Sequence, residues 1–337
     1  MGVKEIFKYK DMKISYFFRH PSPKFHSIEE QFFAMQKELP KDVEYSNKFA
    51  KYPSKGFFKR LFITMQFAIG QGDVNHITGD IHFVALFLKK KKTILTVHDI
   101  GSVLKGRGLR IKVLRFFWFT MPFARVKYVT VISEFTKKQV LEEFKIKPEK
   151  IIVIPDCVSS EIKYYEKDFN FEKPNVLQIG TKTNKNLPNL IKALDGISCK
   201  LTIIGKLKEE QKQLLEKYKI EYENRFNLNY SEIVEAYRNS DIVSFISTYE
   251  GFGVPILEAQ ATGRVVITGK VSPMTEVAAD GAMFVNPNNI VEIKTAIQKI
   301  ISDKALRKSL IMKGTENVKI YSAKSIANKY YELYKKM

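Results

Sequence analysis

The sequence predicts an α/β fold built from two doubly wound parallel sheets, and three observations carry that prediction. Short β-rich runs alternate with helix-like stretches throughout the chain. The alternation halts at a polar, aromatic-rich connector over residues 157–174 and then restarts. The length of 337 residues is too great for one comfortable core, since a domain typically takes about 100–200.

In the first half, Lys13-Ile14-Ser15-Tyr16-Phe17-Phe18 reads as the opening strand. Ser27 followed three residues later by Glu30 is a capping box, so a helix should begin at Ser27. Further strands are expected over 74–77, 93–97, 128–132 and 151–154, with helices between them over 57–69 and 135–144. The second half offers strands over 176–179, 200–204, 241–245 and 264–267, and helices over 187–194, 208–218 and 231–238. These runs divide into a Rossmann-like N-terminal domain, 1–165, and a Rossmann-like C-terminal domain, 166–320, facing a cleft. A final helix over 321–337 carries Ile326, Tyr330, Leu333 and Tyr334 at helical spacing. It should pack back onto a domain, with the N-terminal one a candidate seat. In open sheets of this kind ligands lie at the carboxyl ends of the strands, so the chemistry is sought in the loops that follow them.

Composition narrows the class. Hydrophobic residues make up 45% and charged residues 27%, the profile of a soluble globular protein. Two cysteines, Cys157 and Cys199, have no metal-ligand spacing and suit a reducing cytosol. No secretory h-region is visible, and the apolar run 116–124 is too short to span a bilayer, so a cytoplasmic location is expected. The net charge is +20, and residues 51–127 hold 15 basic side chains against three acidic ones. Such a field attracts nucleic acid, anionic lipid or phosphorylated substrates, although a solvated basic face is the plainer account. Phe58, Phe62, Met65 and Ile69 share one helical face and are expected to be core, packed on the sheet. Over 109–119, aromatic residues are interleaved with Arg110, Lys112 and Arg115, which suggests peripheral attachment to an anionic inner membrane face.

One loop dominates the functional reading: Ser247-Thr248-Tyr249-Glu250-Gly251-Phe252-Gly253-Val254-Pro255-Ile256-Leu257-Glu258-Ala259. It follows a strand and opens a helix, with Pro255 placed in the first turn. Gly251 and Gly253 let the backbone approach a ligand, and free N–H groups at a helix start favour a phosphate or diphosphate. The carboxylates of Glu250 and Glu258 cannot bind phosphate, but they can accept hydrogen bonds from the hydroxyls of a sugar or ribose.

This segment resembles the E-x7-E signature of retaining GT-B glycosyltransferases, in the large fourth family (glycosyl transferases group 1). The resemblance implies a hexosyltransferase that uses a nucleoside diphosphate sugar, in the synthesis of cell-surface polysaccharide or glycolipid. It implies that Glu258 holds the ribose, that Glu250 acts catalytically on the donor sugar, and that Gly251, Phe252, Gly253 and Val254 lie against the donor. Gly180-Thr181-Lys182-Thr183-Asn184-Lys185 resembles the family's first C-domain loop, whose lysine, here Lys185, meets the diphosphate. Thr181 stands where many relatives carry arginine, and Lys182 is the candidate substitute. His98, in Thr96-Val97-His98-Asp99, resembles the family's strand-ending histidine that faces the donor sugar.

The acceptor side is assigned to Gly79 and Asp80, after the strand over 74–77, and to Arg19 and Lys24 in a proline-stiffened loop. The family implies retention through front-side attack, with no cofactor and no bound metal. A lipid-linked or glycan acceptor is the implied partner. Rival readings are a sugar-nucleotide epimerase of the same fold, or a basic membrane- or nucleic-acid-binding protein without catalysis. No nucleic-acid reader motif, dinucleotide fingerprint or P-loop is present.

Overall fold

The computed structural model describes residues 12–21, 27–101 and 108–337, so Lys24 lies outside the described residues. The chain forms two compact units, Met1–Pro155 with Ala323–Met337, and Asp156–Ser322. Each unit is built on a six-stranded sheet among the described residues, and every pairing is parallel.

In the first unit the strands are β1 (Met12–Phe18), β2 (Val43–Phe49), β3 (Val74–Ile77), β4 (Thr93–Val97), β5 (Tyr128–Val131) and β6 (Ile151–Val153). Their order is β2-β1-β3-β4-β5-β6. Covered on both faces, β3 and β4 are buried along their whole length. That explains their unbroken runs of buried residues, as in other covered parallel strands. The edge strand β2 is different: its Glu44, Tyr45, Ser46 and Asn47 are exposed, and its polar sequence hid it from pattern reading.

The helix Phe57–Ile69 corrects a sequence expectation. Its buried face is Ile63, Thr64 and Phe67, with Phe67 stacked on Phe17 at 4.7 Å between ring centroids. Phe58, Phe62, Met65 and Ile69, expected in the core, are exposed. The helix carries apolar residues on two faces, and only one can reach the sheet.

The C-terminal helix Ala323–Tyr334 belongs to the first unit and packs beside the helix Ser27–Gln36. Tyr334 Oη lies 3.0 Å from Tyr16 Oη and 2.8 Å from His76 Nδ1. The other ring nitrogen of His76 is 2.7 Å from Thr96 Oγ1, which in turn meets Thr130 Oγ1 at 2.7 Å. Burial, with His98 adding to it, pushes the His76 imidazole down to about 3. This polar chain satisfies groups that would otherwise be costly inside the core.

The second unit holds β7 (Asn175–Ile179), β8 (Lys200–Ile204), β9 (Tyr222–Arg225), β10 (Ile242–Phe245), β11 (Val265–Gly269) and β12 (Met283–Val285). Their order, β12-β11-β10-β7-β8-β9, is the 3-2-1-4-5-6 arrangement of dinucleotide-binding sheets read from its other edge. The connector from residue 156 goes with this unit rather than the first, ten residues earlier than the 165/166 boundary expected from sequence. Backbone bonds from Val158 N to Tyr321 O (2.9 Å) and from Tyr165 N to Thr262 O (3.2 Å) fix it there.

Candidate functional site

In a sheet of this order the strand sequence reverses between β7 and β10, and the crevice beyond their carboxyl ends is the expected ligand seat. The two loops that leave those ends are Gly180–Asn186 and Ile246–Gly253, and side chains tie them together. Lys185 Nζ donates to Glu250 Oε1 at 2.7 Å, and both side chains are largely buried, at 18% and 15% exposure. Asn184 Nδ2 donates to the same carboxylate oxygen at 3.1 Å and to Tyr249 O at 3.0 Å. The Lys185 ammonium also lies 4.4 Å from the centroid of the Phe245 ring, a cation–π contact. The Gln178 amide, on β7, donates to Lys185 O at 3.0 Å. Asn186, left-handed at φ 57°, donates to Ile246 O and Pro287 O.

Gly180 makes this geometry possible. Its φ is +91°, and a Cβ there would lie 2.9 Å from Lys185 Cγ, so the lysine stem runs across the glycine. Gly180→Ala should lower stability by about 1–2 kcal/mol from left-handed strain and lift Lys185 off Glu250. Urea unfolding of the full chain measures the first effect, and an unchanged midpoint would contradict it.

Gly253 caps the helix Val254–Thr262 with φ 124°, and Pro255 sits in the first turn as expected. Glu258 lies on that helix, partly buried, and accepts a hydrogen bond from Tyr237 Oη at 2.5 Å. Burial pushes its carboxyl above the usual carboxylate range, opposed by hydrogen bonds from Tyr237 and Tyr230. The two glutamates therefore have separate partners here: Glu250 a lysine and an asparagine, Glu258 tyrosine hydroxyls. Neither Asn184 nor Tyr237 was singled out from the sequence. Asn184 could have been, as a neighbour of Lys185 in one short loop, whereas nothing local marks Tyr237.

Three expected donor contacts are qualified by the structure. Phe252 turns its ring inward, edge-on to Tyr321 at 5.8 Å, which leaves only its backbone for a ligand. The Thr181 hydroxyl donates to Lys206 O at 2.7 Å. Lys182 is exposed and makes no ion pair among the described residues, whereas Gly251 is half-buried in the loop.

In the first unit the reversal lies between β1 and β3, and Arg19, Thr78, Gly79 and Asp80 follow those strands. His98, beyond β4, donates through Nε2 to Thr78 O at 2.8 Å, so that nitrogen carries the hydrogen. Gly79 lets the imidazole come this near: a Cβ there would stand 3.0 Å from His98 Cδ2. Asp80 accepts from Arg19 Nη1 at 2.5 Å, and its backbone carbonyl accepts from Trp118 Nε1 at 2.9 Å. His82, which follows in the chain, is buried and contacts Trp118 O at 2.7 Å. Burial lowers it to about 4.

Arg19, expected as a phosphate or acceptor ligand, is engaged by two carboxylates. Nε and Nη2 form a two-pronged pair with Glu29 at 2.8 and 3.0 Å, and Nη1 takes Asp80. Burial works against its charge, yet the Glu29 and Asp80 contacts outweigh it and raise the guanidinium above its ordinary value. With two carboxylates already on it, Arg19 acts as a tether that positions the Asp80 loop.

Comparison with known proteins places these loops in context. The model of the family described as "Glycosyl transferases group 1" matches residues 164–317, and that of "Glycosyltransferase Family 4" matches residues 29–161. Over 254 residues the chain is 27% identical to an uncharacterised glycosyltransferase of Methanocaldococcus jannaschii, covering 71% of this chain and 68% of that one. It is 28% identical over 225 residues to the O-antigen chain mannosyltransferase of Salmonella typhimurium, 63% of this chain and 62% of that protein. It is 26% identical over 264 residues to the N,N'-diacetylbacillosaminyl-diphospho-undecaprenol alpha-1,3-N-acetylgalactosaminyltransferase of Campylobacter jejuni, 71% of this chain and 69% of that one. Among solved structures, Anabaena HepE in complex with UDP-glucose superposes with a TM-score of 0.79 at 14% identity, over 97% of this chain and 100% of that one. That similarity, at so low an identity, is one of fold.

Proposed function

The chain belongs to the glycosyl transferases group 1, of GT-B fold, and from that premise we propose that it moves a hexose-type sugar from a nucleoside diphosphate sugar to an acceptor hydroxyl with retention of configuration. The observation that carries this reading is the Lys185–Glu250 pair at the strand-order reversal of the second sheet. An ammonium held at one fixed place by a carboxylate, a carbonyl-bound loop and an aromatic face is poised to meet an anion. Arrival of a diphosphate gives Lys185 a stronger partner and frees Glu250 to accept hydroxyls of the donor sugar.

The chemistry follows from charge. As the bond from the sugar's anomeric carbon to the diphosphate breaks, negative charge grows on the departing oxygen. Lys185 and the free amides of Gly253 and Val254 at the helix start supply the compensating field, with no cofactor. The acceptor oxygen attacks the oxocarbenium-like carbon from the face the leaving group vacates, and its proton passes to a phosphate oxygen. Glu258, with a carboxyl already engaged by hydroxyl donors, takes the ribose hydroxyls. In the first unit, His98, Gly79 and Asp80 follow strand ends and are the residues assigned to substrate, Gly79 and Asp80 to the acceptor.

The O-antigen and diphospho-undecaprenol relatives support an acceptor in polysaccharide or glycolipid assembly. A thermal-shift panel of UDP, GDP and ADP sugars on the full chain, repeated with Glu258→Ala, tests the proposal. One nucleotide class should raise the midpoint by several degrees, and the variant should lose most of that rise. If no nucleoside diphosphate stabilises the native chain, the proposal fails.

A further inference from the structure

The exposed apolar residues of the first unit form a surface that the fold does not use. Phe57, Phe58 and Ile69 on the helix Phe57–Ile69 are 72%, 82% and 90% exposed, and Phe62 and Met65 lie open on the same side. Leu109, Val113, Phe116 and Phe117 are exposed on the helical run that starts at Leu109. The two groups are joined where the Arg60 guanidinium lies 4.6 Å from the centroid of the Trp118 ring. Around them stand the exposed cations Lys51, Lys55, Lys59 and Lys112, none of which has a carboxylate partner among the described residues.

We propose that this face docks on an anionic lipid bilayer, with the ring and aliphatic tips of both helices entering the headgroup boundary and the lysines contacting lipid phosphates. Large apolar tips ringed by unpaired lysines match what such an interface offers: an apolar layer beneath a sheet of negative charge. A second copy of the chain offers the wrong charge, since two such faces would bring their lysines together. No helix among the described residues is long and apolar enough to cross a membrane, so the contact is peripheral. Trp118 gives the face a position as well, because its Nε1 holds the carbonyl of Asp80. A lipid-borne acceptor would thus enter beside the Asp80 loop. This last step rests on the acceptor reading above, but the docking itself does not.

Co-sedimentation of the full chain with vesicles at low salt tests the docking, using phosphatidylcholine alone or with phosphatidylglycerol in equal parts. The chain should pellet only with the anionic vesicles. Phe58→Ser combined with Ile69→Ser should cut the partition coefficient by about a hundredfold, and Lys55→Ala combined with Lys59→Ala by about thirtyfold. Stabilisation by the nucleotide that scores in the panel above should stay unchanged in both variants, which separates this test from the donor reading. Absence of pelleting with anionic vesicles would overturn the proposal. So would pelleting that ignores the Phe58 and Ile69 substitutions, or a concentration-dependent dimer that those substitutions abolish.

Discussion

Lys185→Ala should reduce kcat for sugar transfer by about 10²–10³-fold while the full chain stays folded. In the reaction proposed above the lysine meets charge that is greatest in the transition state, and interactions of that kind act on kcat more than on KM. Its setting argues the same way. The ammonium is held by Glu250 at 2.7 Å and by the Phe245 ring, and its stem crosses Gly180 where no Cβ would fit. On that proposal it needs little reorganisation when the diphosphate departs. Lys185→Arg should recover little, since a planar fork is bulkier than the stem that fits across Gly180. Glu250→Gln should also impair transfer, through lost hydroxyl contacts, while leaving nucleoside diphosphate binding close to native. Steady-state kinetics of the three variants decide the matter. A Lys185→Ala enzyme within a few-fold of native kcat would remove the lysine from the reaction.

The first unit should lose stability steeply in mild acid. His76 and His82 are both buried and neutral, with burial pushing them to about 3 and about 4. Unfolding returns each ring to an ordinary value near 6.5. Below that pH the unfolded chain binds protons that the native one refuses. The stability is therefore present above about pH 6.5 and is lost as pH falls toward the native values. With about 1.4 kcal/mol for each pH unit and each histidine, the cost at pH 5 is about 2 kcal/mol apiece, or about 4 kcal/mol together. Trp118, the chain's only tryptophan, belongs to this unit, so its fluorescence follows the unit's urea unfolding. His76→Gln should lower stability at neutral pH but halve the acid slope. An equal slope in the variant would show that His76 is not the proton acceptor. The consequence reaches the candidate site, because His76 ties β3 to the C-terminal helix through Tyr334, and Thr78 and Asp80 follow β3 directly.

Much of the fold was legible in the sequence because covered parallel strands are mostly apolar and β-branched along their length. β4, Thr93–Val97, is buried throughout and reads as a strand with no other information. Edge strands answer to water on one side and lose that signature. Val43–Phe49 and Tyr222–Arg225 are largely polar, and both went unseen until their pairing with β1 and β8 was known. The helix Phe57–Ile69 shows a further limit. Periodicity reveals an apolar stripe but not which of two stripes meets the sheet, and that choice depends on Phe17 standing beneath Phe67.

By itself, the sequence determined the two loops of the candidate site. Gly180 to Lys185 and Glu250 to Glu258 combine glycines, cations and carboxylates in a spacing that places them at strand ends, a consequence of local chain geometry. Tertiary structure decided who partners whom. It set Lys185 on Glu250, gave Glu258 to Tyr237, and spent Arg19 on Glu29 and Asp80. Such pairings join residues 10 to 65 positions apart. They are fixed by strand order and by the cost of leaving a buried charge or hydroxyl unpaired, neither of which a local reading of the chain contains.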